Sequence, residues 1–196
     1  MLHETTAQRL LSSQRSMPGA SGAEVGSLSL ELHQELLLLS AESWIFIYWI
    51  EIPLRNGIHN ALVETFGQRY WTKRDFQLRA GASLSAKMNG TKQARQPGKL
   101  FLDELTLGFW IRFLAPKARK KLWTDTIANA FSPAADADRL FAQLMEFKSL
   151  RNGIAHHSIK NLGQHTRIRK LAVIIAEQID QELAEYLRIL ARRRAA

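Results

Sequence analysis

The stretch Ile168-Arg169-Lys170-Leu171-Ala172-Val173-Ile174-Ile175-Ala176-Glu177-Gln178-Ile179-Asp180-Gln181-Glu182-Leu183-Ala184-Glu185-Tyr186-Leu187-Arg188-Ile189-Leu190 decides the fold class. In it Ile168, Leu171, Ile175, Ile179, Leu183, Tyr186, Leu187 and Leu190 form one apolar stripe at helical spacing. A stripe of this period is what a helix with 3.6 residues per turn must present to a core. Arg192-Arg193-Arg194 follow, and cations suit the C-terminal end of a helix. One amphipathic helix is predicted there.

The same texture extends toward the N-terminus. Leu28, Leu32, Leu36 and Leu39 predict a helix to about Leu39, with Ser27 or Ser29 as cap and Glu31 in its first turn. Ser40-Ala41-Glu42 offers a break, and a second apolar helix covers Trp44 to Phe66, with a kink or restart at Pro53 and a stop at Gly67. Further helices are predicted over Asp75–Lys87, broken at Gly81, over Leu100–Leu114, over Ala118–Ala130, and from Pro133 to Leu150. No stretch alternates as a strand would, so the chain reads as all-α. Residues 1–27 lack a period and read as a flexible N-terminal arm. Residues 28–196 read as a single helical domain, with residues 68–99 as a basic, loop-rich insertion in its middle.

At 196 residues and 46% apolar composition, one well-buried core is expected. No uninterrupted apolar run approaches the ~18–20 residues of a membrane span. The run Trp44–Ile50 is therefore read as a buried helix segment, and no membrane partner is expected. There are no cysteines, which excludes disulfides and thiol chemistry. With no basic-then-apolar leader at the N-terminus, a cytoplasmic protein is expected. No cluster of metal ligands and no phosphate-binding glycine loop stands out, so neither a metal nor another cofactor is expected.

Charge is uneven. Residues 1–66 carry net −4, residues 67–121 net +10 and residues 122–196 net +3. A local basic field of this kind points to a polyanion, and RNA or DNA is the commonest. Arg69, Lys73, Arg74, Lys117, Arg119, Lys120 and Lys121 are the candidates for phosphate contact, and the alternative for the last four is a solvated face. Trp71, Trp110 and Trp123 read as core, though Tyr70-Trp71 beside these cations could stack a base.

The tripeptide Arg-Asn-Gly occurs twice before a histidine, as Arg55-Asn56-Gly57-Ile58-His59 and as Arg151-Asn152-Gly153-Ile154-Ala155-His156-His157. Cleavage of RNA without a metal uses the 2′-hydroxyl as nucleophile. It needs a base for that proton, an acid for the leaving 5′-oxygen, and positive charge on the phosphoryl oxygens. Histidine can fill either proton role, arginine offers a charged planar fork, and asparagine can orient a neighbour. Arg151, Asn152 and His156 are therefore the catalytic candidates, with His157 a possible RNA contact. The alternative is a polar network tying the bundle together. On a continuous helix Arg151 and His156 point about 140° apart, whereas Asn152 and His156 share a face. Convergence then requires an irregular helix near Gly153, or two chains. Glu51, Arg55 and His59 fall at i, i+4, i+8, with Asn56 beside them. They form a possible second motif, or else an internal Glu51–Arg55 pair.

Five ordered blocks resemble the Abi-like (abortive infection) proteins of bacteria, an HEPN-type helical family. They are Glu51–Leu62, Phe66–Trp71, Leu105–Trp110, the pair Leu122-Trp123 with Ala130-Phe131, and Leu150–His157. The family often follows His-His with Glu-Pro, where this chain has Ser158-Ile159. The resemblance implies an HEPN-like bundle and a role in phage defence or in a toxin–antitoxin pair. In some members it also implies RNA cleavage, which HEPN ribonucleases perform without a metal through an Arg-x4–6-His motif at a homodimer cleft. Carried over by position, Arg151, Asn152 and His156 are the catalytic candidates, with an RNA or protein antitoxin as a possible partner. A non-catalytic RNA-binding protein and a helical protein-binding scaffold are the rival readings.

Overall fold

The computed structural model describes residues 22–90, 102–156 and 162–193. Among them every regular element is helical and none is a strand, so the all-α expectation holds. The α-helices are α1 (Gly22–Phe66), α2 (Arg74–Ala80), α3 (Ala82–Asn89), α4 (Leu107–Ile111), α5 (Pro116–Leu122), α6 (Ala137–Ala155), α7 (Leu162–Ile179) and α8 (Gln181–Arg193).

Helix α1 replaces two expected helices. It runs for 45 residues, about 67 Å at 1.5 Å per residue, and passes through both Ser40–Glu42 and Pro53. It starts at Gly22, inside the arm expected over residues 1–27; residues 1–21 lie outside the described residues. Nothing breaks at Ser40, because the hydroxyls of Ser40 and Ser43 donate back to the carbonyls of Leu36 and Leu39, which a helix tolerates. Proline 53 forfeits one backbone bond, but the helix is held by a fully buried stripe of Phe46, Ile47, Ile50, Leu54, Ile58 and Leu62. The Trp44–Ile50 run thus divides: Phe46, Ile47 and Ile50 are buried, whereas Trp44 and Tyr48 are exposed. By length and composition alone, the Gln34–Phe66 part of α1 could also cross a membrane, with a mean hydropathy of 1.4.

The predicted C-terminal helix is two helices. The carboxylate of Asp180 accepts from the Leu183 amide and caps α8. Arg188 on α8 bonds Glu177 on α7 as well as Glu185. On one straight helix Arg188 and Glu177 would stand about 16 Å apart along the axis, beyond side-chain reach, so the chain turns at Asp180. Tyr186 thereby meets Trp49 of α1, ring centroids 5.0 Å apart.

Residues 68–90 differ from the loop-rich insertion expected over residues 68–99, of which 91–99 lie outside the described residues. Gly81, at φ 88°, separates α2 from α3 as predicted. The two helices and the 3-10 turn Tyr70–Thr72 bury Tyr70, Trp71, Phe76, Ala80, Leu84 and Met88. Phe76 touches Phe66, Tyr70 and Phe113, which makes this section part of the core. Arg69, Lys73, Arg74 and Lys87 lie on the outside of this segment, as does Leu78, while its other large apolar residues fill the inside. The helix expected over Leu100–Leu114 is reduced to a 3-10 turn, Leu102–Glu104, and the short α4. Pro116 then fixes the start of α5, and Thr126 leaves helical geometry before the 3-10 turn Ile127–Ala130, so Ala118–Ala130 is not one helix. Trp110 is buried and stacks on Phe113, and Trp123 is half-buried and stacks on Phe131.

Helices α1 and α7 share a buried polar contact. Ser43 Oγ lies 2.9 Å from His165 Nδ1. The Ser43 hydroxyl also lies 2.9 Å from the Leu39 carbonyl, so it bridges its own helix and the imidazole. Burial holds the His165 imidazole below its ordinary value of 6.5; Arg169 adds to this and Glu42 opposes it. A histidine whose pKa is lowered by folding supports the folded state fully above its unfolded pKa and withdraws that support as pH falls below it. Denaturation midpoints are therefore expected to drop below about pH 6.5, and to drop less steeply in His165→Gln. Equal pH slopes for the two proteins in urea titrations followed by circular dichroism would contradict this.

Candidate functional site

The second motif sits at the end of α6. Asp136 starts this helix by accepting from the amides of Asp138 and Arg139, 2.9 and 3.0 Å away, which holds its carboxyl below the usual range. The start is therefore later than the Pro133 expected. The end is also later than Leu150: the helix runs through Arg151, Asn152 and Gly153 to Ala155, and His156 is its C-terminal cap. A continuous helix over Arg151–Ala155 keeps Arg151 and His156 about 140° apart and leaves Asn152 and His156 on one face. His156 is exposed, and Asn152 is half-buried. His157 lies outside the described residues.

Arg151 is held from α1. Its Nε donates to Oε1 of Glu51 at 2.7 Å, and its guanidinium lies 5.3 Å from the centre of the Trp44 ring. Trp44 and Glu51 are seven residues apart and share a face of α1. The carboxylate and the ring thus fix the plane of the fork from two sides. Among the described residues, the two terminal nitrogens of Arg151 meet no hydrogen-bond acceptor. Both partners retain about a quarter of their side-chain exposure. A guanidinium anchored through Nε, with its outer edge open, is suited to receive an anion.

The first motif lies on the same helix as Glu51. Arg55 Nε donates to the Asn56 side chain at 3.3 Å, and His59 Nδ1 lies 3.2 Å from the Tyr70 hydroxyl. Burial pushes the Tyr70 phenol far up, so it stays protonated beside His59. Burial, with Arg55 in addition, lowers the pKa of His59. Gly57 serves packing: a Cβ there would lie 3.3 Å from the Ala130 carbonyl oxygen, so the 3-10 turn approaches α1 at this point. Glu51 is the link between the two motifs, since its carboxylate engages Arg151 on α6.

The basic candidates divide by environment. Arg69, Lys73, Arg74, Lys117, Lys120 and Lys121 are exposed. Arg69 takes a left-handed conformation, φ 56°, in the turn after α1. Lys121 Nζ lies 3.3 Å from the Leu78 carbonyl. Arg119 is bound to Asp138 at 2.6 Å with its side chain mostly covered, so it ties α5 to α6 rather than offering an open phosphate contact. Sequence reasoning missed the Ser43–His165 pair and the role of Trp44. Trp44 had one available signal, its seven-residue spacing from Glu51.

Among the described residues, no three His, Cys, Asp or Glu side chains are grouped closely enough to hold a metal ion. No family model, no curated protein and no solved structure matches this chain.

Proposed function

We propose that this chain is an HEPN-type, metal-independent endoribonuclease of the Abi-like kind, acting as a homodimer in phage defence or as the toxin of a toxin–antitoxin pair. The observation that carries the reading is the Arg151 fork, held by Glu51 and Trp44 with its outer nitrogens open, three residues before Ile154 and five before an exposed histidine. Arg151 would neutralise the phosphoryl oxygens of the scissile bond. His156 would accept the 2′-hydroxyl proton or donate to the leaving 5′-oxygen, and Asn152, on its face, would orient it. The 2′-oxygen bonds to phosphorus as the bond to the 5′-oxygen breaks, which leaves a 2′,3′-cyclic phosphate.

The continuous α6 keeps Arg151 and His156 of one chain apart, so in this reading each phosphate lies between Arg151 of one copy and His156 of the other. Exposed Leu37, Trp44 and Tyr48 on α1, with Tyr186 and Ile189 on α8, would give the two copies an apolar face beside Arg151. The same divergence favours a second reading, in which one chain grips RNA through these residues and cuts nothing. Incubation of the protein with total bacterial RNA in EDTA separates the two. The first reading expects fragments ending in 2′,3′-cyclic phosphate; binding without fragments would replace it with the second.

A further inference from the structure

Lys148 lies on α6 one turn before Asn152 and two turns before His156. At about 100° per residue, the three side chains step around one flank of the helix in increments of about 40°. Lys148 crosses the backbone of α4 at Gly108. A Cβ at position 108 would lie 2.9 Å from Lys148 Cε and 3.3 Å from its Nζ, so the slot exists because residue 108 is glycine. The lysine is half-buried and makes no hydrogen bond or ion pair among the described residues. A half-buried lysine without a carboxylate beside it lacks a counter-charge, which an anion would supply. Three residues further on, Arg151 presents its open fork on the neighbouring face.

We propose that Lys148 binds a phosphate of the RNA strand that flanks the scissile one, so that the strand runs along α6 past Lys148, Asn152 and His156. This rests on the ribonuclease reading above and adds a subsite to it. The subsite makes the protein prefer an RNA that continues beyond the scissile bond, because a dinucleotide cannot occupy both positions. Gly108 positions the lysine: a methyl group there would push the end of that flexible side chain, and its ammonium, out of the slot without changing the net charge of the protein.

The test is binding of a fluorescent single-stranded RNA of about twelve nucleotides in EDTA at several salt concentrations, with cleavage measured in parallel. Lys148→Gln is expected to weaken binding about tenfold. It should also lower the slope of log affinity against log salt by about 0.7, the value for one lost phosphate contact on a single strand. KM should rise on the long RNA, with kcat kept, and neither should change on a dinucleotide. Gly108→Ala should weaken binding in the same direction with its net charge unchanged, and it decides the matter if Lys148→Gln fails to fold by circular dichroism. Lys170→Gln, which removes an exposed lysine on α7, should leave the slope unchanged. If Lys148→Gln and Gly108→Ala bind as the wild type does while His156→Ala abolishes cleavage, the subsite is refuted and the ribonuclease reading stands. If the subsite variants lose binding but the wild type cuts nothing, the subsite stands without the chemistry. A wild type that binds no RNA refutes both.

Discussion

His156→Ala is expected to lower the rate of RNA cleavage in EDTA by about 10²–10⁴-fold, the usual contribution of a positioned acid or base. Because the side chain is exposed at the cap of α6, its truncation opens no cavity, and the fold should be unchanged by circular dichroism. Arg151→Ala is expected to cost about 10²–10³-fold by the loss of a charged donor at the phosphoryl oxygens. Arg151→Lys should recover part of that, since it restores the charge but not the fork or the stacking on Trp44. Gel-resolved cleavage of one defined RNA, with folded variants, measures all three. Equal cleavage by wild type and His156→Ala would remove this histidine from the chemistry.

Phe76→Ala is expected to destabilise the protein by about 3–5 kcal/mol, the cost of emptying a fully buried aromatic site. Phe76 belongs to the basic middle section and meets Phe66 at the end of α1, Tyr70 in the following turn and Phe113 beyond α4. If this section were an appended insertion, the same change would stay within about 0.5 kcal/mol. Urea titration of wild type and variant distinguishes the two values. A loss this large also predicts that phosphate contacts from Arg69, Lys73 and Arg74 cannot be removed by deleting the segment, only by exchanging single residues.

The sequence carried the fold class because helical periodicity is a local property, and the stripes of α1, α7 and α8 are long. Local reading failed where tertiary contacts overrule local signals. Ser40 reads as a breaker, yet its hydroxyl can return to the Leu36 carbonyl inside a helix. Pro53 reads as a restart, yet buried residues on both sides hold the helix together. Asp180 reads as one more polar residue within a stripe, yet it caps a new helix. In the middle section, abundant Lys and Arg masked the spacing of Tyr70, Phe76, Leu84 and Met88, which is what the core uses. At the candidate site, the residue types of both motifs were visible as repeats. Their partners were not, because the Glu51–Arg151 bond joins residues one hundred positions apart. The likeness of Lys148 to any other lysine is a case of the same kind, since only the position of Gly108 marks it out.

The most direct test of the central claim is complementation between two inactive copies. In the proposed symmetric pair, each phosphate meets Arg151 from one chain and His156 from the other. A mixed dimer of Arg151→Ala and His156→Ala chains then contains one site with both residues intact. Equimolar mixing after subunit exchange is expected to restore roughly a quarter of wild-type cleavage, since half of the dimers are mixed and each holds one of two sites. Cleavage that stays at the level of the separate variants, with exchange verified by mass, would contradict a site shared between two chains.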